Sequence, residues 1–232
     1  MSHVRRAVIP LRKFYFVVTL ATVVVFAAVG TVHPVKADAQ PGSLLSVQSK
    51  DIRSLGVGKL LVASRDLGDP SFAQTVILLV RYDSQSVLGL VLNKRTDLPV
   101  SRVLKGFKAA TKRSDPVYLG GPVDTPAVFA LYQSSSRIAG ADHIFDKVYL
   151  IMSKPVFEQT LSAQPDSSVF HVYLGYAGWN RDQLQKEVEL GMWFIFPGDA
   201  NAVFNSAPDS LWQQMIRRTT LNFADNASEL WN

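Results

Sequence analysis

The sequence predicts a single α+β domain, and three observations predict it. Short apolar, β-branched runs recur between turn residues along most of the chain. Short amphipathic helical patterns stand among them. The two kinds do not alternate regularly, as a doubly wound sheet would require, and strands joined by short turns should pair antiparallel.

In chain order, strands are expected at Lys59–Ala63, Thr75–Tyr82, Leu88–Leu92, Val117–Leu119, Ala127–Tyr132, Lys147–Ile151, Val169–Leu174 and Trp193–Phe196. Several are continuously apolar, Thr75-Val-Ile-Leu-Leu-Val80 most clearly, so they should be covered on both faces. A helix is expected over Pro99–Thr111, with Val100, Val103, Leu104 and Phe107 on one stripe and Pro99 suited to a first turn. Ser153 is placed to cap a second helix running to about Ala163. Asn180 should cap a third over Arg181–Leu190, with Gln183 completing a capping-box-like pair and Gly191 ending it. Asp199 is placed to cap a short turn at Ala200–Phe204, and Pro208–Arg218 carries Leu211, Trp212, Met215 and Ile216 at helical spacing.

The N-terminus is of another kind. Arg5, Arg6, Arg12 and Lys13 precede Phe14–Val29, a run without a charged residue, and small or short residues follow at Val35, Ala37 and Ala39. Basic start, apolar middle and small-residue site form an export signal over residues 1–37, and residues 14–32 are long enough to serve instead as an uncleaved anchor. Either arrangement sends the rest of the chain to a periplasmic or extracytoplasmic side. With Lys36, these residues hold five of the 24 basic side chains and none of the 19 acids, so the remainder is formally neutral. A polar tether at 38–52, with Pro41 and Gly42, leads into the domain at 53–232.

Composition narrows the chemistry. The chain has no cysteine, which excludes disulfides, thiolate metal sites, a Cys nucleophile and a lipid-modified Cys. Only His143 and His171 lie beyond the leader, too few for a His-based zinc site. Neither a Gly-x-Ser-x-Gly elbow nor a glycine-rich phosphate loop occurs. His171, in a strand between Phe170 and Val172, reads as a hydrogen-bonded structural histidine, and His143 as a turn residue. No catalytic residue, cofactor or metal is therefore assigned. Asn226-Ala-Ser228 fits a glycosylation sequon, relevant only to a eukaryotic secretory route.

Four segments are more specific than packing requires. They are Gly58-Lys-Leu-Leu-Val-Ala63 with Leu67-Gly-Asp-Pro-Ser-Phe72; Leu88-Gly-Leu-Val-Leu-Asn-Lys94; Leu119-Gly-Gly-Pro-Val123; and Leu174-Gly-Tyr-Ala-Gly-Trp179. In this order and spacing the chain resembles the AlgH/YqgE family of small bacterial proteins over roughly residues 55 to 220. The resemblance implies a compact α+β fold around a mixed, largely antiparallel, partly barrel-like sheet flanked by short helices. It implies no established activity, although one branch carries a regulator label for exopolysaccharide production. This chain departs from the family pattern at Arg65 and Arg95, where Pro is usual, and in carrying an export leader.

The candidate ligand-binding residues are Asn93, Lys94, Gly120, Gly121, Tyr176, Gly178 and Trp179, where strand ends present flexible backbone or polar tips. Free N–H groups at Gly175–Trp179, ahead of the Asn180-capped helix, could hold an anion, with Tyr176 and Trp179 flanking a planar ligand. The competing reading makes Asn93 a turn former, Gly120-Gly121-Pro122 a structural corner, and Tyr176 and Trp179 core plugs. Residues 94–113 set seven basic side chains against Asp97 alone. On the expected helix, Arg102, Lys105, Lys108 and Lys112 share an arc that is either a solvated face or a surface for anionic lipid or an acidic partner. A neutral domain without a basic-aromatic motif argues against specific nucleic-acid binding.

The function expected is thus an exported, envelope-associated binding or accessory protein, taking an unknown small molecule or envelope protein. A hydrolase using carboxylates or serines near Gly175–Trp179 is the rival. The regulator that the family label suggests is disfavoured by the leader and the neutral domain.

Overall fold

The computed structural model describes residues 51–219. The expected leader, the tether before Asp51 and the Asn226 sequon lie outside them. Among the described residues no helix is long and apolar enough to cross a membrane.

Ten strands form one sheet: β1 (Leu60–Ala63), β2 (Val76–Tyr82), β3 (Val87–Val91), β4 (Arg95–Pro99), β5 (Pro116–Leu119), β6 (Val123–Gln133), β7 (Asp142–Phe145), β8 (Val148–Ile151), β9 (Phe170–Trp179) and β10 (Trp193–Phe196). The helices are α1 (Val100–Val103), α2 (Lys154–Ser162), α3 (Arg181–Glu189), α4 (Ala200–Val203) and α5 (211–219). The main path runs β10-β1-β2-β3-β9-β6-β8-β7, with β4 and β5 branching from β9. All pairings are antiparallel except β5 on β9, where Val117, Tyr118 and Leu119 meet Val172, Tyr173 and Leu174. The result is the mixed, largely antiparallel α+β sheet that was expected.

The path curls until its ends approach. A Cβ built on Gly58, just before β1, would lie 3.1 Å from the Ile144 carbonyl oxygen of β7. One on Gly198, just after β10, would lie 2.9 Å from the Phe145 ring. Two apolar clusters result. The larger gathers β1, β2 and β3 with Tyr173, Ala177, Trp179, Leu184, Trp193 and Trp212. The smaller packs Phe157 and Leu161 of α2 with Val100, Leu104 and Ala110 against Val117, Ala130, Phe170 and Val172. The period-2 alternation of β9 divides it, sending Tyr173 to one cluster and its neighbours Phe170 and Val172 to the other. β1 is buried throughout and β2 over its first five residues, as their unbroken apolar runs require. α5 docks on β1 through the Trp212 indole, which donates to the Ala63 carbonyl at 2.8 Å.

Several expectations need correction. The helix over Pro99–Thr111 stops at Val103, turns through Gly106, and resumes only as a 3-10 turn at Lys108–Ala110. Gly106 and the β-branched Val100 and Val103 are poor helix formers, and burial of Val100, Leu104 and Ala110 holds the segment down without a helix. Arg102, Lys105, Lys108 and Lys112 therefore do not share a helical face. β9 does not end at Leu174 but runs through Trp179, and β6 begins at Val123. β4 and β7 arise where no strand was expected. Ser153 occupies an N-cap without a side-chain bond, whereas Asn180 accepts from the Gln183 N–H at 2.7 Å and Asp199 from the Asn201 N–H. The Gln183 side chain turns away from the cap and donates to Glu187.

Candidate functional site

The three segments carrying the candidate residues meet around β9. The Gly120 N–H donates to the Leu174 carbonyl of β9, and the Gly120 carbonyl accepts from the Val91 N–H of β3, both at 2.8 Å. The Leu119 N–H donates to the Lys94 carbonyl at 2.8 Å. A Cβ on Gly120 would fall 2.4 Å from the Gly175 carbonyl oxygen, and one on Gly121 2.1 Å from the Tyr176 carbonyl carbon. Only glycine admits so close a backbone crossing. Here β9 leaves β5 for β3, and Gly175 takes φ +66 at the switch.

The crossing is closed. Because β9 continues as paired strand through Gly178 and Trp179, the Gly175–Trp179 segment is not a loop of free N–H groups at a helix start, and the expected anion nest does not form. Asn93 bridges to the chain entering β2, accepting from the Val76 N–H at 2.9 Å and donating to the Gln74 carbonyl at 2.8 Å. Lys94 donates to the Ser71 carbonyl at 2.6 Å, and burial, partly countered by Asp69, lowers its pKa below the usual amine range. Trp179 is buried, stacked on Phe72 at 5.7 Å and edge-on to Trp193 at 6.0 Å. Its indole and that of Trp193 donate to one oxygen of Glu187, at 3.0 and 2.8 Å. Gly178 leaves room for the Tyr176 ring, 3.1 Å from where its Cβ would stand. Tyr176 is half-buried against Phe129; burial and Asp124 raise its pKa while Arg81 lowers it.

His171 is buried, stacked on Tyr118 at 4.7 Å with Phe204 edge-on. Its Nδ1 has no hydrogen-bond partner among the described residues, whereas backbone hydrogen bonds with Val203 and Ser167 partly counter the effect of burial on the ring. Burial depresses its pKa to about 4, leaving the ring neutral near pH 7. The buried Tyr173 hydroxyl also lacks a partner there, and burial raises its pKa well above 10. No group of three metal-ligating side chains occurs among the described residues.

A groove of about 690 Å³ opens elsewhere, between the end of β2 and β7. Val57, Val80, Ile144 and Tyr149 supply its apolar surface, and Arg81, Asp83, Arg137, Asp142 and His143 its polar groups. Asp83 is committed to its own turn, accepting from the Gln85 and Ser86 N–H groups, and these bonds lower its pKa. His143 lies in β7, not in a turn; its Nε2 is 2.8 Å from the Asp146 carbonyl oxygen and its ring is edge-on to Tyr149. Among the described residues neither Arg81 nor Arg137 has a carboxylate within ion-pair distance. Two exposed guanidiniums beside an apolar floor can hold a carboxylate or phosphate by paired hydrogen bonds. Sequence reasoning missed this groove because it missed β7. The available signal was the apolar pair Ile144-Phe145 after polar Asp142-His143, followed by a turn at Asp146, whose φ is +44.

Comparison with known proteins places this geometry. The family model described as AlgH-like (DUF179) matches residues 60–224. A UPF0301 protein of Chlorobium phaeobacteroides is 30% identical over 170 residues, covering 72% of this chain and 88% of the relative. One from Streptomyces avermitilis is 32% identical over 165 residues, covering 69% and 85%. The solution structure of the AlgH protein from Pseudomonas aeruginosa is similar with TM-score 0.58 and 27% identity, over 70% of this chain and 87% of that one. A crystal structure from Corynebacterium diphtheriae shares the fold with TM-score 0.60 at 23% identity, over 70% and 86%. The chain belongs to the AlgH-like family.

Proposed function

We propose, taking that family membership as the premise, that this chain is an exported, non-catalytic binding or accessory protein of the cell envelope whose ligand engages the groove between β2 and β7. The observation that carries the reading is the groove itself, an apolar surface with two guanidiniums that, among the described residues, have no carboxylate within ion-pair distance. Such a surface recognises an anionic ligand with an apolar body. Tyr176 stands within electrostatic reach of Arg81 but does not line the groove. In this reading Asn93, Lys94, Gly120, Gly121, Gly178 and Trp179 frame the crossing at β9 and do not touch the ligand. Arg102, Lys105, Lys108 and Lys112 are exposed and offer an anionic membrane surface a separate contact. The basic, apolar leader supports export.

Two experiments test this. Thermal melting of the full chain against a panel of carboxylates and organic phosphates should give a stabilising ligand whose effect disappears in Arg81→Ala/Arg137→Ala. Stabilisers that act equally on that variant would remove the groove from the account. A phosphatase reporter fused after residue 52 should be active outside the cytoplasm, and activity of a cytoplasm-specific reporter alone would end the export reading.

A further inference from the structure

We infer that the ligand of the groove is a zwitterion with an apolar body, in the class of the apolar α-amino acids: Arg81 and Arg137 take its carboxylate, and Asp142 takes its ammonium. This rests on the binding reading above and names the class of ligand.

The lining is balanced in charge. The end of β2 supplies Arg81 and Asp83, and β7 with the chain leading into it supplies Arg137 and Asp142. All four side chains belong to exposed residues. Two guanidiniums and two carboxylates in one groove could cancel as ion pairs, yet among the described residues none of the four makes one. Both signs therefore remain available to a ligand.

The two carboxylates differ in what else they do. Asp83 Oδ1 accepts from the Gln85 and Ser86 N–H groups at 2.8 and 2.9 Å and fixes the turn between β2 and β3. Asp142 has no such duty, and its side chain enters no ion pair among the described residues. It is the carboxylate to which a ligand's ammonium goes.

This balance selects against a ligand of single charge. A lone carboxylate satisfies the guanidiniums but brings its charge toward Asp83 and Asp142, and a lone ammonium meets the reverse. A ligand bearing both charges meets neither repulsion. The groove also carries apolar surface to be covered: Val57 is 43% exposed there, and Val80, Ile144 and Tyr149 line it too. An apolar α-amino acid presents both charges at one end and its side chain at the other. The volume of about 690 Å³ is in the range of small-molecule sites.

Isothermal titration calorimetry on the full chain tests this with three ligands of one shape. They are phenylalanine, 3-phenylpropanoate, which lacks the ammonium, and 2-phenylethylamine, which lacks the carboxylate. Phenylalanine should bind about fivefold or more tighter than either, the factor expected of one exposed charge pair. Asp142→Asn should cut its advantage over 3-phenylpropanoate to about twofold or less. Arg81→Ala/Arg137→Ala should weaken both acids and erase the advantage over 2-phenylethylamine. If 3-phenylpropanoate binds as tightly as phenylalanine, or the advantage survives Asp142→Asn, the zwitterion inference falls and the anionic binding reading stands. The inference also falls alone if none of the three binds while another carboxylate or phosphate stabilises the chain through Arg81 and Arg137. If 2-phenylethylamine binds tightest, both fall. Binding of O-phosphoethanolamine but not phenylalanine would assign the groove to a zwitterionic headgroup and overturn the amino-acid class.

Discussion

Glu187 is the half-buried carboxylate on which the aromatic end of the domain depends, and its removal has a calculable cost. Its Oε2 accepts from the indoles of Trp179 and Trp193, which are 6% and 0% exposed, and its Oε1 accepts from the Gln183 amide at 2.9 Å. Glu187→Ala leaves two buried N–H donors without an acceptor. At about 1.5 kcal/mol each, the cost is about 3 kcal/mol, with the lower part of the charged range used because the donors share one oxygen. For a domain of this size that lowers Tm by about 9 °C. Glu187→Gln keeps an accepting oxygen and loses only the charge, so it should cost about 1 kcal/mol. Urea unfolding followed by circular dichroism measures both. In a Trp179→Phe/Trp193→Phe background the donors are gone, and Glu187→Ala should cost less than about 1 kcal/mol. A cost within about 0.5 kcal/mol of zero in the wild-type background, or the same cost in both, would refute the reasoning.

Further outcomes follow from the same geometry. His171 titrates near 4 when folded and 6.5 when unfolded, so the unfolded chain takes up the proton first. Its contribution is fully present above pH 6.5 and falls by about 3 kcal/mol as pH drops through 6.5 to 4; His171→Gln should flatten that part of the pH–stability curve. Gly120→Ala and Gly121→Ala drive a methyl into backbone 2.4 and 2.1 Å away, and should lose about 3 kcal/mol or more or fail to fold. Gly106→Ala, with nothing within 4 Å, should be near neutral in the same melting assay. Asn93→Ala removes both bonds to the start of β2 and should cost about 2 kcal/mol by urea unfolding.

How much of this was legible in the sequence depends on which force fixed each element. β1, β2 and β10 are buried apolar runs, so composition alone locates them. α3 and α5 carry a cap or a stripe that states their limits. The 99–111 segment looked helical because its apolar spacing is helical, yet Gly106 and the demands of the smaller core made turns sufficient. β4 and β7 are short, half-exposed and largely polar, so local pattern does not declare them. The glycine motifs were legible as special, but their reason was not. Gly120, Gly121 and Gly175 serve a backbone crossing between three strands, which no single segment encodes. The groove was the least legible feature, because β7 forms one side of it.

Hydrogen exchange on the full chain, with and without the carboxylate or organic phosphate that stabilises it most in the melting panel, tests the central claim most directly. The account predicts that amides in 80–83 and 141–144 gain protection together as the groove fills, while those in 119–121 and 175–179, already bonded at the crossing, do not change. Protection gained at the crossing with the groove unaffected would contradict it.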